Sequence, residues 1–362
     1  MQAWRRYWVV ALPFVALALL FFLLQHNSRD RLVSRARGEG HLVIYSVTDS
    51  VVARPLVAAF EARYGVRVDY REMNSIVLQQ RFLEDVRQGT PVADVLWSSA
   101  MDLQIKLAND GHAAAYSPYD AQSLPPWAGY QQQVWVTSFE PVVFVYNREL
   151  LQPHEVPESR LALRQMLQRH PGRFQRRISS YDIERSAVGF NFFAQDVRVA
   201  REEAWRLQRQ FGRSKVRLHG SSATMLDELS AGQTLLAYNV IGSYAAERAG
   251  KDPRLGVIYP HDYTLVMGRL ALISRYAPHP SAAKLWLDFV LSEEGQRLLA
   301  RTPGTFSVRR LASEARDFDA LSRLLGDSFE PIFPGRGLLI YLDDLKRNVL
   351  LQRWREATGF KS

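Results

Sequence analysis

The sequence predicts an α/β chain folded into two lobes, and three observations carry that prediction. Short apolar runs alternate with stretches of helical spacing. Two unusually long β-rich segments interrupt the alternation. Small hydroxyl and carboxylate residues recur where a run hands over to a helix. The first such place is Ser46-Val47-Thr48-Asp49-Ser50, between the apolar run Leu42–Tyr45 and a helical pattern through Leu56, Ala59, Phe60 and Tyr64.

In chain order, Leu42–Tyr45 reads as a strand with a helix from about residue 51. Val66–Tyr70 alternates as a half-buried strand does, and residues 75–88 read as a helix. "ADVLWSS" (93–99) gives a third strand with a helix over 101–109. Strands alternating with helices imply a parallel sheet with covered faces. "VWVTSFEPVVFVYN" (134–147) is too long for that rhythm and has Pro141 at its middle, which suits a strand leaving one sheet for another. Strands and helices then resume, and the second long segment, "LGVIYPHDYTLVMGRLALIS" (255–274), is placed to bring the chain back. The expected organisation is therefore a spacer ending at residue 40, a first lobe built from 41–138 and 264–362, and a second lobe over 139–263. The C-terminal helix, with Leu345, Val349, Leu350 and Trp354, is expected to pack on the first lobe. Two crossovers make a hinge, with the ligand in the cleft between lobes.

The N-terminus stands apart. Trp8–Leu24 carries no charge, follows Arg5 and Arg6, and has no small-residue cleavage pattern after it. Such a run predicts a signal anchor, a membrane helix that holds the exported body at the inner membrane. With no cysteine in the chain, disulfides, thiolate metal sites and a lipoprotein anchor are all excluded. The formal net charge is +9, of which +4 falls in residues 1–40. The rest is spread without a basic run, which fits a basic surface or an anionic ligand better than nucleic acid.

In open α/β sheets the ligand crevice lies beyond the carboxyl ends of the strands, where helix N-termini present free N–H groups. Four clusters occupy such junctions: Ser46, Thr48, Asp49 and Ser50; Ser98, Ser99 and Asp102; Ser179, Ser180 and Asp182; and Ser221, Ser222 and Thr224. Each alone is consistent with ordinary capping. Two per lobe suggest a shared cleft. Arg185 and Ser186 follow the third cluster at a helix start, where a guanidinium offers a fork to phosphate or carboxylate, or simply a surface ion pair with Asp182 or Glu184. No G-x-S-x-G, H-E-x-x-H or phosphate-loop motif is present, and nothing pairs Asp49 with Asp182 for acid–base work. The sequence therefore predicts a binder without catalytic residues, cofactor or metal site.

The segments "LVIYSVTDSVVARPLVAAFEARYGVRVDY", "PVADVLWSSAMDLQIKLANDG", "FVYNREL" and above all "PSAAKLWLDFVLSEEGQRLLA" resemble periplasmic solute-binding proteins of ABC importers, in the branch that includes ferric-iron-binding proteins. That resemblance implies a type II-like periplasmic-binding-protein fold, a small ligand, an ABC permease as partner, and no chemistry. The iron branch places adjacent tyrosines after an asparagine. Here Asn239 is followed by Val240-Ile241-Gly242, and Tyr244 stands alone. Fe³⁺ asks for several anionic or imidazole ligands, and Asp49, Asp182 and His261 are the available additions. "SSYDIERSAVGFNFF" and "YNVIGSYA" are instead similar to phosphoglycerate-transport regulatory and sugar-phosphate-binding proteins. By that likeness Asn239, Ser243, Tyr244 and His261 join the cleft, the ligand is a small, phosphorylated anion, and a sensor feeding a membrane kinase stands as the alternative to import.

Overall fold

The computed structural model describes residues 28–311 and 316–360; the apolar run 8–24 lies outside them. Among the described residues no helix is long and apolar enough to cross a membrane.

The described residues begin with a helix over residues 28–39 (α1), where the sequence suggested only a polar spacer. Ala36 is fully buried, the Arg37 side chain donates to the Tyr64 carbonyl, and Glu39 accepts from the backbone of Ser281 and Ala282. Gly40, at φ 66°, ends the helix, a conformation that costs glycine little. The first lobe follows: β1 (His41–Ser46), α2 (Ser50–Tyr64), β2 (Arg67–Glu72), α3 (Ser75–Arg87), β3 (Val95–Ser98) and α4 (Met101–Asn109). β1 lies between β2 and β3 in parallel register. All three strands thus point their carboxyl ends the same way, and the loops after them converge.

After the short β4 (Gly129–Tyr130), β5 (Val134–Asn147) runs from one sheet into another. Its first half, to Pro141, pairs antiparallel with β10 (Thr264–Ile273) in the first sheet. From Val142 it pairs with β8 (Leu236–Ile241) and β9 (Leu255–Ile258) in the second. Proline has no N–H to give a ladder, and Pro141 sits where the partner changes.

The second lobe contains α5 (Arg160–Arg169), α6 (Pro171–Phe174), β6 (Ile178–Tyr181), α7 (Ala187–Ala200), α8 (Glu202–Arg213), β7 (Arg217–His219), α9 (Ser222–Ser230), β8, α10 (Gly242–Lys251) and β9. β6 is parallel to both β7 and β8. The return to the first lobe is the loop 259–263, between β9 and β10. Residues 255–274, expected as one crossover, are therefore two strands. α11 (Pro280–Leu291), α12 (Glu293–Arg301), β11 (Phe306–Ser307) and α13 (Phe318–Leu325) complete the first lobe. Its core centres on Trp97, Phe60, Trp286 and Phe289, with Phe60 edge-on to Trp286 at 5.1 Å between centroids.

The C-terminus departs from expectation. β12 (Phe329–Pro331) pairs with β10 in the first lobe, and residues 336–342 pack on α4. But α14 (Asp344–Thr358) crosses to the second lobe and docks on α8. Trp354 and Leu351 enter a cluster with Phe190, Phe193 and Trp205, and the Trp354 indole donates to Gln208 at 3.0 Å. Apolar Leu350 and Trp354 face inward, while Leu345 and Val349 stay exposed. The helix is therefore amphipathic toward α8 and not toward the first lobe. Its approach is close: a Cβ on Gly212 would lie 2.0 Å from the Thr358 carbonyl oxygen.

Gly212→Ala consequently forces α14 away from α8. Overpacking of this kind costs about 1–3 kcal/mol. The urea midpoint is expected to fall, and the C-terminus to become sensitive to limited proteolysis. An unchanged midpoint with an intact C-terminus would contradict this packing.

Candidate functional site

A cavity of about 270 Å³ lies between the two lobes. The first lobe lines it with Val47, Asp49, Glu72, Met73, Asn74, Ser75 and Ser99. The second contributes Tyr181, Ser186, Val188, Gly220–Ala223, Ile241 and Tyr244. These residues lie after β1, β2, β3, β6, β7 and β8, at strand-to-helix junctions in both sheets.

Local chemistry builds the walls. α3, α7 and α9 each start at the cavity behind a side-chain cap. Asn74 accepts from Val77 N–H at 2.9 Å, Ser186 from Gly189 N–H at 3.2 Å and Ser221 from Thr224 N–H at 3.3 Å. A cap satisfies one of the orphan donors of a helix start. The N–H groups of Ser75, Val188, Ser222 and Ala223, in those first turns, have no acceptor among the described residues. Gly189 lets α7 start this close to β6, because a Cβ there would meet the Tyr181 Cβ at 2.3 Å. Tyr181 in turn shares a 2.6 Å hydrogen bond with Ser222.

Beneath the cavity, Arg269 of β10 is buried and bonded on three sides. Its Nε and Nη2 reach Glu140 Oε1 at 3.0 and 2.8 Å, and its Nη1 donates to Thr48 Oγ1 at 2.6 Å. Ser243 at the start of α10 donates to the other Glu140 oxygen. Burial opposes the guanidinium charge most strongly, but Glu140 together with Tyr244 and Tyr70 outweighs it, and the pKa is raised. Burial also raises the Tyr244 phenol, with Arg269 pulling the other way.

The structure brings Asp49, Ser99, Ser186 and Tyr244 together at the cavity, and assigns the other expected ligand residues elsewhere. Ser46 donates to the Trp97 carbonyl and accepts from Thr48 N–H, both at 3.0 Å, so its hydroxyl is spent within the loop. Thr48 is taken by Arg269. Ser50 gives its N–H to Glu72 at 2.8 Å, outside the lining. Ser98 accepts from Ala100 N–H, and Ser180 is buried within β6. Asp182 accepts from Glu184 N–H at 3.0 Å. Arg185 is the expectation most plainly overturned: its side chain is 79% exposed and faces Asp182 at 3.6 Å, a surface pair. Asn239, at φ 56°, bonds Asp196 and Arg160 inside the second lobe. Ser243 is held by Glu140. His261 lies on the surface, 3.7 Å from Glu158. The residues sequence reasoning passed over are Glu72–Ser75, which carry the same strand-to-helix signature with Asn74 as cap, and Gly220 and Ala223 on either side of Ser221 and Ser222 of the fourth cluster. Among the described residues no three His, Asp or Glu side chains gather as a metal site.

A second, smaller cavity of about 140 Å³ lies among α4, α7 and residues 337–341, lined by Asp102, Asn191 and Tyr341 among others. Asp102 is 3% exposed and its Oδ1 has no partner among the described residues. Burial pushes its carboxyl up to about 7, against opposing backbone bonds and the charge of Arg347.

A family model described as bacterial extracellular solute-binding protein matches residues 55–322. The chain belongs to that family. This solute-binding protein is 34% identical to the substrate-binding protein of an ABC transporter from Agrobacterium tumefaciens, over 88% of this chain and 94% of that one, with a TM-score of 0.84. It shares its fold with AfuA from Actinobacillus pleuropneumoniae, solved with fructose-6-phosphate bound (18% identity, 89% and 99% covered, TM-score 0.72). The same holds for iron-bound HitA from Pseudomonas aeruginosa (18%, 88% and 99%, TM-score 0.69). No curated protein matches the sequence. Like its relatives, the solute-binding protein works outside the cytoplasm with an ABC permease, and binds its small ligand without transforming it.

Ionisation of Asp102 gives a pH test. A carboxyl whose folded pKa lies above its unfolded value, about 7 against an ordinary 3.8, is fully favourable only while protonated. Its ionisation costs the fold stability as pH rises from about 4 to 7, by up to about 4 kcal/mol. Asp102→Asn is expected to melt higher than the parent at pH 8, with the advantage shrinking as pH falls toward 4. Asp288, which burial also pushes up, to about 6, contributes equally to both chains. A constant difference across that range would show that Asp102 does not titrate in place.

Proposed function

We propose that this solute-binding protein captures a small anionic metabolite, phosphorylated or carboxylated, between its lobes and delivers it to an ABC permease. The observation that carries the reading is the set of unpaired first-turn N–H groups at the cavity. Helix starts favour negative charge through these donors and through the helix dipole. Three residues of that kind, Val188, Ser222 and Ala223, face the cavity from the second lobe. The volume is at the small end for ligand pockets, which fits a compact metabolite better than a disaccharide or peptide. A bound sugar phosphate in AfuA, a protein of the same fold, is compatible with this reading. Arg185 takes no part in it.

Ferric iron is less well supported. Tyr244 and Tyr181 line the cavity, but burial holds both phenols above their ordinary range, and a hard cation needs the phenolate. His261 and Asp182 are both outside the lining.

Gly220 supplies the test. It lines the cavity, and a Cβ there meets nothing within 4 Å. Gly220→Asp places a carboxylate where the ligand anion would sit, and Gly220→Asn places a neutral group of the same shape. Two like charges about 5–6 Å apart at an effective dielectric near 20 repel by about 3 kcal/mol, which is over a hundred-fold in affinity. A thermal-shift screen of phosphorylated and carboxylated metabolites, followed by calorimetry on the hits, is expected to show Gly220→Asp far weaker than Gly220→Asn. Equal binding by the two variants, or hits confined to neutral sugars or Fe³⁺, overturns the reading.

A further inference from the structure

The two walls of the cavity carry opposite electrostatics. The second-lobe wall presents N–H groups at the starts of α7 and α9. The first-lobe wall presents two carboxylates, Asp49 and Glu72, and among the described residues no Lys or Arg side chain lines either wall. The nearest buried cation, Arg269, is already neutralised by Glu140. A ligand that is only an anion would have its charge met on one side and opposed on the other. One Glu72 oxygen is engaged with Ser50 N–H at 2.8 Å, an ordinary helix-start role, but that leaves the second oxygen and the charge itself at the cavity.

The first-lobe wall also holds a group that points to a ligand independently of charge. Ser99 lines the cavity at 4% exposure, and its hydroxyl has no partner among the described residues. The oxygen is not among the fully buried unpartnered atoms, so what exposure it has opens onto the cavity it lines. Lining the same cavity as the carboxylates, it offers an acceptor to an N–H as readily as a donor to an oxygen.

We propose that the ligand is dipolar: an anionic group held by the first turns of α7 and α9 in the second lobe, and an ammonium group held by Asp49, Glu72 and Ser99 in the first. This rests on the anion-binding reading above and assigns the other end of the same molecule. A ligand with a charge for each wall is satisfied only when both lobes contact it, so its dipolar character couples binding to closure. An anion lacking the ammonium has to sit against the negative charge of the first-lobe wall.

Calorimetry with matched probes tests it. O-Phosphoethanolamine and glycerol 3-phosphate share a phosphate and differ in the ammonium; β-alanine and propionate make the same comparison for a carboxylate. In the parent protein the ammonium-bearing member of at least one pair is expected to bind ten-fold or more tightly than its ammonium-free partner. Asp49→Asn and, separately, Glu72→Gln are each expected to reduce that preference several-fold, with binding of the ammonium-free partner unchanged or improved. A circular-dichroism melt shows which variants are folded, and either folded variant suffices. Equal or tighter binding of the ammonium-free partner in both pairs, or a preference that survives both substitutions, overturns the dipolar assignment while the Gly220 variants still report on the anion. Failure of all four probes to bind overturns it as well, and there a phosphorylated hit from the wider screen keeps the anion reading separate.

Discussion

The ion pair between Arg269 and Glu140 is the contact on which the geometry of the cleft depends. Glu140 lies on β5 one residue before Pro141, where that strand changes sheets, and Arg269 lies on β10, the strand that brings the chain home. Thr48, in the loop after β1, and Ser243, at the start of α10, attach to the same pair from opposite lobes. A buried ion pair is weak evidence for stability, because desolvation offsets the attraction. Its value here is positional. Four elements that belong to two lobes are referred to one rigid point beneath the cavity, and the loop carrying Asp49 is fixed by the bond to Thr48.

That arrangement separates support from recognition. The hydroxyls nearest the strand ends, Ser46, Thr48, Ser98 and Ser243, are consumed in holding loops and crossing strands. Residues one step further out, Asp49, Ser99 and the first turns of α3, α7 and α9, face the cavity. The same residue types serve both layers, because a small hydroxyl tightens a turn as well as it meets a ligand.

This explains what was legible in the sequence. The alternation of runs and helical spacing located most strands and helices, and Pro141 in a long apolar run located a change of sheet. The hydroxyl clusters located the cavity edge, but could not say which member faced inward. Ser98 and Ser99 are adjacent and only one lines the cavity, since successive residues at a strand end point to opposite sides. Arg185 and Asn239 attracted attention as polar residues in suggestive motifs; one is held at the surface by its local neighbour Asp182, the other by a network with Arg160 and Asp196 that spans many residues of sequence. Such long-range partners leave no local pattern. The C-terminal helix was misplaced for the same reason: its apolar stripe reveals that it packs, and Gly212, more than a hundred residues earlier, decides where.

The docking of α14 has a consequence for how the molecule assembles. The second lobe is composed of a central stretch of chain closed by the last helix, and the cluster around Trp205 lacks Trp354 until that helix is present. Neither lobe is a contiguous folding unit, since each waits for sequence on the far side of the other. Contacts of such long sequence separation favour slow, late consolidation over lobe-by-lobe folding during synthesis. The second lobe therefore stays incomplete until α14, beyond the whole of the first lobe in sequence, has been made.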